Sequence, residues 1–482
     1  MEQIQETLDQ AVSFHQKGEF ERAFQGYNQV LEAAPEHYRA KTMRASLMIQ
    51  SGLVADGVKE LASCIKENPN DYVAYNNIAL GLFHLEKYDL ALRQLDRALE
   101  LKPNHPEALA LTAKIKKHIG SEDATDIAWQ VFEDNPENFA AMNTIIGSLV
   151  EDYPISKALS YLKDRNVDLS TLRDIHKMQL ATLAREGHKD AGIDLDQAET
   201  LLNSCTDKED LTFNLNLLKL HLAKKDNPKC VTVGTTILRL KDELAESFGM
   251  GAEYHPVPVH DARKKTKVIA FSLWGDDPKY TFNALLNAKQ ASTVYPGWVA
   301  RFYVDDSVPN EFKVALRDYG AELVEVANDE RINLRLFWRF LAHDDPSVGY
   351  FICRDCDSII GEREAIAVRD WLESEKPFHL LRDHPEHAEL IMAGMWGGIG
   401  GTLGNMMEMA VHYYEGHSTQ WRWVDQDFLR HVVWPAIKER SCTHDSIFQF
   451  GPNATDFPAD APVIIGSHVG GYAPREWVKR TE

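Results

Sequence analysis

Asp355 and Asp357 flank Cys356 in residues 350–360, YFICRDCDSII, and two carboxylates at this spacing form a natural grip for a divalent cation. Tyr350, Phe351, Ile352 and Cys353 predict a buried strand, and its period of two points both carboxylates to one side, about 7 Å apart. Carboxylates so placed repel each other and lose hydration unless a cation holds them. The same triplet arises by chance in acidic chains as surface carboxylates after a strand, so its surroundings decide its meaning. Cys353 and Cys356 have the spacing of a redox or zinc pair, but both fall in or at the end of the buried run and no second pair stands at zinc spacing. His255 and His260 lie across prolines without preformed geometry and are expected in solvent.

The carboxylates need a frame, and the second half of the chain predicts one. KVIAFSLWG reads as a strand ending at Gly275, YTFNALLNAKQASTVYP as a helix closed by Pro296, and WVARFYVDD as a second strand. EFKVALRDYGAELVEV adds a helix, a stop at Gly320 and a strand; NLRLFWRFLAHD adds a helix before YFICRDCDS. Alternation of this kind predicts a mainly parallel, Rossmann-like α/β sheet covered on both faces, with ligands beyond the carboxyl ends of the strands. Ser272–Gly275, Asp305 with Asp306, and Asp355 with Asp357 all fall at such ends.

The first half is built differently. Pro35, Pro69 and Pro103 are 34 residues apart, and Pro136 follows at 33. In each phrase a small residue (Ala23, Gly57, Ala91) precedes an apolar one (Tyr27, Leu61, Leu95) by four, one helical face, and the proline stops the helix. Helical patterning continues in ISKALSYLKDR, HKMQLATLAREG, LDQAETLLNSC and LTFNLNLLKLHLAKK. The expected organisation is repeats over 1–139, a further repeat-like helical region over 140–248, a Gly- and Pro-containing linker over 249–266, and the α/β domain over 267–482. Nine of the ten tryptophans lie beyond residue 270, which marks the same division.

The 34-residue period resembles the tetratricopeptide repeat, which implies an all-α helical solenoid with a continuous concave surface for a protein partner or for self-association. Residues 267–480 resemble a nucleotide-sugar glycosyltransferase of the GT-A fold, through FSLWG with NALLNA after Tyr280, YPGW, RFYVDDSVP, RDCDS, FHLLRDHPEHAELIMAGMWGG and DQDFLRHVVWP. The group it is similar to occurs in bacterial surface-polysaccharide loci, in plants and in large viruses. The resemblance implies Mn²⁺ or Mg²⁺ on Asp355 and Asp357, with His468 of IIGSHVGG as a further ligand. It implies a nucleoside cradle at Ser272, Leu273 and Trp274, with Tyr280 stacking; Trp274 reads equally as core. Arg339 and Arg354 could meet the diphosphate together with Asp355, though a regular strand turns Arg354 to the opposite face and favours an ion pair. Arg382, Asp383, His384, Met395, Trp396 and Gly397 are implied for the sugar and acceptor, or else RDHP is a strand end with a stabilising turn. Of Asp425 and Asp427, one is implied as the base that deprotonates an acceptor hydroxyl while the other caps a helix, Asp425 being favoured as base.

The expected function is therefore a metal-dependent glycosyltransferase, moving a sugar from a nucleotide-sugar donor to a glycan or protein acceptor that the repeats recruit. The competing reading is a repeat scaffold or adaptor with an inactive GT-A-like half. A nucleotidyltransferase would carry a glycine-rich basic loop near the first strand, and FSLWGDDPKY has one glycine. A formal charge of −21 argues against a nonspecific grip on nucleic acid or an anionic membrane. MEQIQETLDQ lacks the pattern of a secretion signal, no apolar run approaches the ~18 residues of a membrane span, and six scattered cysteines suit a reducing cytosol.

Overall fold

The computed structural model describes residues 2–16, 20–121, 123–135, 138, 141–146, 162–165, 167, 169, 172–187, 193–327, 332–416, 423–462 and 468–471. The chain forms two compact units, Met1–Cys205 and Thr206–Glu482.

The first unit is a helical, tetratricopeptide-like solenoid. Its helices are α1 (Glu2–Gln16), α2 (Phe20–Ala33), α3 (Tyr38–Gln50), α4 (Val54–Glu67), α5 (Tyr72–His84), α6 (Tyr88–Leu101), α7 (Pro106–His118), α8 (Ala124–Asp134), α9 (Asp174–Gly187) and α10 (Ile193–Asn203). Helices α3, α5 and α7 begin at residues 38, 72 and 106, the period read from the prolines, and α2, α4 and α6 each end two residues before Pro35, Pro69 and Pro103. Helices pair, α1 with α2, α3 with α4, α5 with α6, α7 with α8 and α9 with α10. The small-plus-apolar positions are the reason: Ala23, Tyr27, Leu61, Ala91 and Leu95 are wholly buried. A Cβ on Gly57 would stand 2.6 Å from the Ala45 carbonyl, so glycine sets how closely α4 approaches α3. Asp71 accepts from the backbone N–H groups of Val73 and Ala74, and His37 and His105 cap α3 and α7 through Nδ1. The expected helix ISKALSYLKDR lies mostly outside the described residues.

The second unit opens with α11 (Leu211–Lys224) and α12 (Asn227–Phe248), followed by α13 (Val259–Ala262). The sheet strands are β1 (Thr266–Leu273), β2 (Val299–Val304), β3 (Glu322–Glu325), β4 (Val348–Arg354), β5 (Phe378–Arg382), β6 (Trp396–Ile399), β7 (Ser441–Asp445) and β8 (Ala454–Thr455). Their order is β3-β2-β1-β4-β6-β5-β7-β8, parallel except for β6, which is antiparallel to both neighbours. Helices α14 (Pro278–Val294), α15 (Asn310–Asp318), α16 (Leu341–Asp344), α17 (Glu362–Ser374), α18 (Met406–Gly416), α19 (Val424–Phe428) and α20 (Trp434–Ile437) connect the strands. Both sheet faces are buried. Val268, Ala270, Phe351 and Cys353 enter one core with Phe337, Trp338, Phe340 and Phe428, while Ile269, Phe271, Tyr350 and Ile352 enter the other with Ala284, Ala288 and Trp371. This alternation is the period of two expected of strands covered on both sides.

Two expectations about organisation change. Residues 211–248, expected to continue the repeats, pack in the α/β unit: Ile237 and Leu238 enter its core, Lys241 Nζ donates to Glu389 Oε2 at 2.6 Å, and Trp434 Nε1 donates to Asp242 at 2.7 Å. An amphipathic helix announces an apolar face but not what covers it. The expected linker is pinned as well, with the N–H of Ala252 donating to Val432 O and that of His255 to Thr402 O. Among the described residues no helix is long and apolar enough to cross a membrane.

Candidate functional site

The rim at the carboxyl ends of β1 and β4 is knotted by Arg339, the last but one residue of the 3₁₀ segment Ile332–Phe340. Its backbone N–H donates to Ser272 Oγ at the end of β1 at 2.9 Å. One guanidinium nitrogen pairs closely with Asp355 after β4, and another reaches Asp425 Oδ2 at 2.7 Å. Burial alone lowers the guanidinium pKa, but Asp355 and Asp425 outweigh it and hold the group charged. Burial also pushes the Asp425 carboxyl up to about 6, Arg339 opposing and the Asp355 charge adding to the shift. A buried carboxyl poised near neutrality beside a fixed cation is the kind of group that can take and return a proton.

Asp357 accepts from Lys279 Nζ at 2.8 Å. Lys279 is half exposed, so this ammonium is a readily displaced cation on an oxygen donor. The loop carrying Asp357 is clamped by α14: Asn283 Nδ2 donates to Asp357 O at 3.2 Å, Asn287 Nδ2 donates to Ser358 O at 2.7 Å, and Ile360 N–H donates to Asn287 Oδ1 at 3.0 Å. Asn283 and Asn287 are four residues apart, hence on one helical face. The two asparagines in NALLNA carried that signal; Lys279 carried none. The β2 end joins in through Asp305, which accepts from Ser307 N–H at 3.0 Å and pairs with Arg335 at 3.1 Å, while Ser307 Oγ accepts from Gly275 N–H at 2.7 Å.

Gly394 completes the rim. A Cβ there would lie 2.0 Å from Asp355 Oδ2, so the segment between β5 and β6 passes directly against that carboxylate, and a side chain there would push it aside.

Several expected site residues are placed elsewhere. Leu273 is buried core. Arg354 is buried in an ion pair with Glu364 beside Tyr295, on the face that strand alternation assigned it, and does not reach the rim. Arg382 is buried against Asp445 at 2.9 Å and donates to the carbonyls of Glu389, Leu390 and Phe450, so its donors are consumed by structure. Trp396 is sealed between Phe340 and Phe351 and offers no platform, and Met395 is also buried. Gly397 serves the sheet: a Cβ would stand 2.4 Å from Phe351 O. Trp274 is partly buried, edge-on to Trp338 at 6.3 Å, and Tyr280 is partly exposed beside Lys279. Asp427 pairs with Arg430 at 2.9 Å; neither it nor Asp425 caps α19, whose N-cap is Trp423.

His468 stacks on His384 at 4.4 Å and sets its ligand atoms within 4.8 Å of those of Asp383 and His387. Among the described residues, three groups of possible metal ligands are gathered this closely, and neither Asp355 nor Asp357 belongs to any of them. His468 therefore groups with Asp383 and His387 instead of completing a triad with the two aspartates. The strand expected before it, residues 463–465, lies outside the described residues. The side chain of Asp383 is buried, held by Arg363 at 3.1 Å and by the N–H of Val469.

No family model matches the chain. It is 23% identical over 122 residues to Hsp70-Hsp90 organizing protein 2 of Arabidopsis thaliana, and 28% identical over 132 residues to the Protein CTR9 homolog of the same plant. The matches span 21% and 12% of those proteins and about a quarter of this chain. Among solved structures, a tetratricopeptide repeat protein from Parabacteroides merdae is 13% identical, with 50% of this chain and 94% of that one covered and a TM-score of 0.36. A thermophilic repeat protein of Thermus thermophilus is 15% identical, with 42% and 98% covered and a TM-score of 0.30.

Proposed function

We propose that the first unit is a scaffold that binds a protein partner, and that this is the primary role of the chain. The regular stacking of helix pairs at a 34-residue step carries the reading, because such an array exposes a continuous surface without gathering catalytic groups. The matched relative named for organising Hsp70 and Hsp90 supports a protein as the partner. A cavity of about 380 Å³ lined by Leu31, Pro35, Lys41, Arg44, Glu60, Ser63, Cys64 and Glu67 is the place to look for contact. The test is anisotropy of a labelled peptide panel with the full chain, alongside sedimentation. Saturable binding that weakens at least tenfold in Lys41→Glu supports the reading; no bound peptide and no self-association sinks it. Six cysteines, all free thiols, suit a cytoplasmic scaffold.

A second reading is favoured by the Asp355–Arg339–Asp425 chain: the α/β unit acts as a GT-A-type glycosyltransferase on a nucleotide-sugar, with the repeats bringing the glycan or protein acceptor. Asp355 and Asp357 offer the hard oxygen donors that Mn²⁺ or Mg²⁺ prefers, and the Lys279 ammonium already sits on Asp357 as a cation would. A bound divalent ion would neutralise charge on the leaving diphosphate. Lys279 would assist with phosphate contacts while Arg339 holds Asp355 and Asp425 in place, and Ser272, Trp274 and Tyr280 would line the approach for a nucleoside. Asp425, ionised above about pH 6, would take the acceptor proton. Thermal shift with a panel of nucleotide-sugars, with and without Mn²⁺, tests it: a selective rise lost in Asp357→Asn supports catalysis. No response to any donor leaves the α/β unit as an inactive part of the scaffold.

A further inference from the structure

We infer that Asp370, Cys442 and His444 form a metal site for a thiophilic transition-metal ion of the zinc class. Cys442 and His444 are two residues apart on β7 and so share a face, and α17 brings Asp370 over them. Their ligand atoms lie within 4.8 Å of one another, and Asp370 Oδ2 is 3.1 Å from His444 Nε2. A tetrahedral ion with bonds of about 2.0–2.3 Å spaces its ligands roughly 3.3–3.8 Å apart, so this trio closes on such an ion with little movement. Thiolate, imidazole and carboxylate together select zinc-class ions over the oxygen-loving cations suited to the Asp355 rim.

The surroundings are those of a ligand set. His444 Nδ1 meets His379 Nε2 at 2.8 Å, and His379 is fully buried and stacked on Trp371 at 5.2 Å. A ligating histidine characteristically has its other ring nitrogen fixed in this way. In the tautomer that carries the His444 proton on Nδ1, the Nε2 lone pair meets the Asp370 carboxylate at 3.1 Å, an arrangement that a cation resolves. The Asp370 side chain is 50% exposed, which gives the ion a way in and leaves a fourth position to water.

A thiol nucleophile activated by His444 is the competing use of the same residue types. His444 Nε2 lies 3.1 Å from Asp370 Oδ2, so the imidazole is aimed between a carboxylate and the thiol, as for a shared ion, and not at the thiol alone. Metal binding instead releases the thiol proton to solvent as the S–metal bond forms.

The full chain, stripped with chelator and freed of any tag, should be titrated with Co²⁺ alone. One equivalent should raise a thiolate-to-cobalt charge-transfer band that added Zn²⁺ abolishes. Cys442→Ser should remove the band, and Cys356→Ser should leave it. His379→Gln should keep the band while weakening affinity about 10–100-fold. Since Cys442 is buried, the half-exposed Asp370→Asn serves as the variant least able to disturb folding, and it should weaken cobalt binding more than tenfold. Absence of the band in the wild type, its survival in Cys442→Ser, its loss in a folded Cys356→Ser, or unchanged affinity in Asp370→Asn overturns the assignment.

Discussion

Arg339 places a single buried positive charge between two carboxylates, and the consequences can be measured at Asp425. In the folded chain this carboxyl keeps its proton up to about pH 6, whereas its ordinary value is 3.8. Between those values the folded state binds the extra proton. The stability contributed by this group is therefore complete at low pH and lost as pH rises through about 6; a shift of this size is worth up to about 3 kcal/mol. Asparagine cannot titrate, so Asp425→Asn should gain about 1–3 kcal/mol relative to wild type between pH 4 and pH 7 in urea unfolding. A difference that stays flat with pH contradicts a raised Asp425. Gly394→Ala makes a separate prediction at the same rim. Its methyl would overlap the mobile end of the Asp355 side chain, not backbone, so the cost to stability should stay below about 1.5 kcal/mol. The carboxylate must nevertheless move off Arg339, and any Mn²⁺-dependent thermal shift with nucleotide-sugar should disappear. A variant that keeps the full shift would separate Asp355 from metal binding.

At the scale of elements, α14 is both a cover for the sheet and the clamp on the loop that carries Asp357. Asn287 makes two bonds to that loop from a wholly buried position. Asn287→Ala strands a buried carbonyl and a buried N–H, and should cost about 2–4 kcal/mol in urea unfolding; a loss under 1 kcal/mol would mean that water replaces the clamp. Local periodicity made much of this scaffold legible in the sequence. Helix ends followed from Pro35, Pro69 and Pro103, the sheet covered on both faces from the alternation of strands with helices, and the rim from strand ends. Charge pairing over long separations was not legible. Arg382 meets Asp445 sixty-three positions away, and Arg339 meets Asp425 eighty-six away, so the first reads from sequence as a free donor and the second shows no sign of bridging two carboxylates. Trp396 likewise looked like an exposed platform because glycines surround it, whereas those glycines admit the neighbouring strand and bury the ring. The same limit applied to α12, whose partner is the sheet unit.

For the whole molecule, the division at Cys205 and Thr206 means that each unit closes its own core, and this has a thermodynamic signature. Leu95 is wholly buried between repeat helices, so Leu95→Ala should cost about 2–5 kcal/mol, depending on how far the helices collapse into the space. Lys241 is buried with Glu389, which also pairs with Arg430 at 2.6 Å. Lys241→Ala leaves Glu389 with one cation instead of two and should cost about 3 kcal/mol, because breaking a buried charge group exposes the desolvation cost of what remains. If the units unfold independently, calorimetry should resolve two transitions, with Leu95→Ala lowering one and Lys241→Ala the other. The double variant should then lower both by the amounts of the single variants, since the sites share no partner. A single transition displaced by either substitution, with a clearly non-additive double variant, would show that the two cores unfold as one cooperative body. In that case a partner bound to the repeats would also stabilise the α/β unit by mass action, and the scaffold and site readings would be linked through stability.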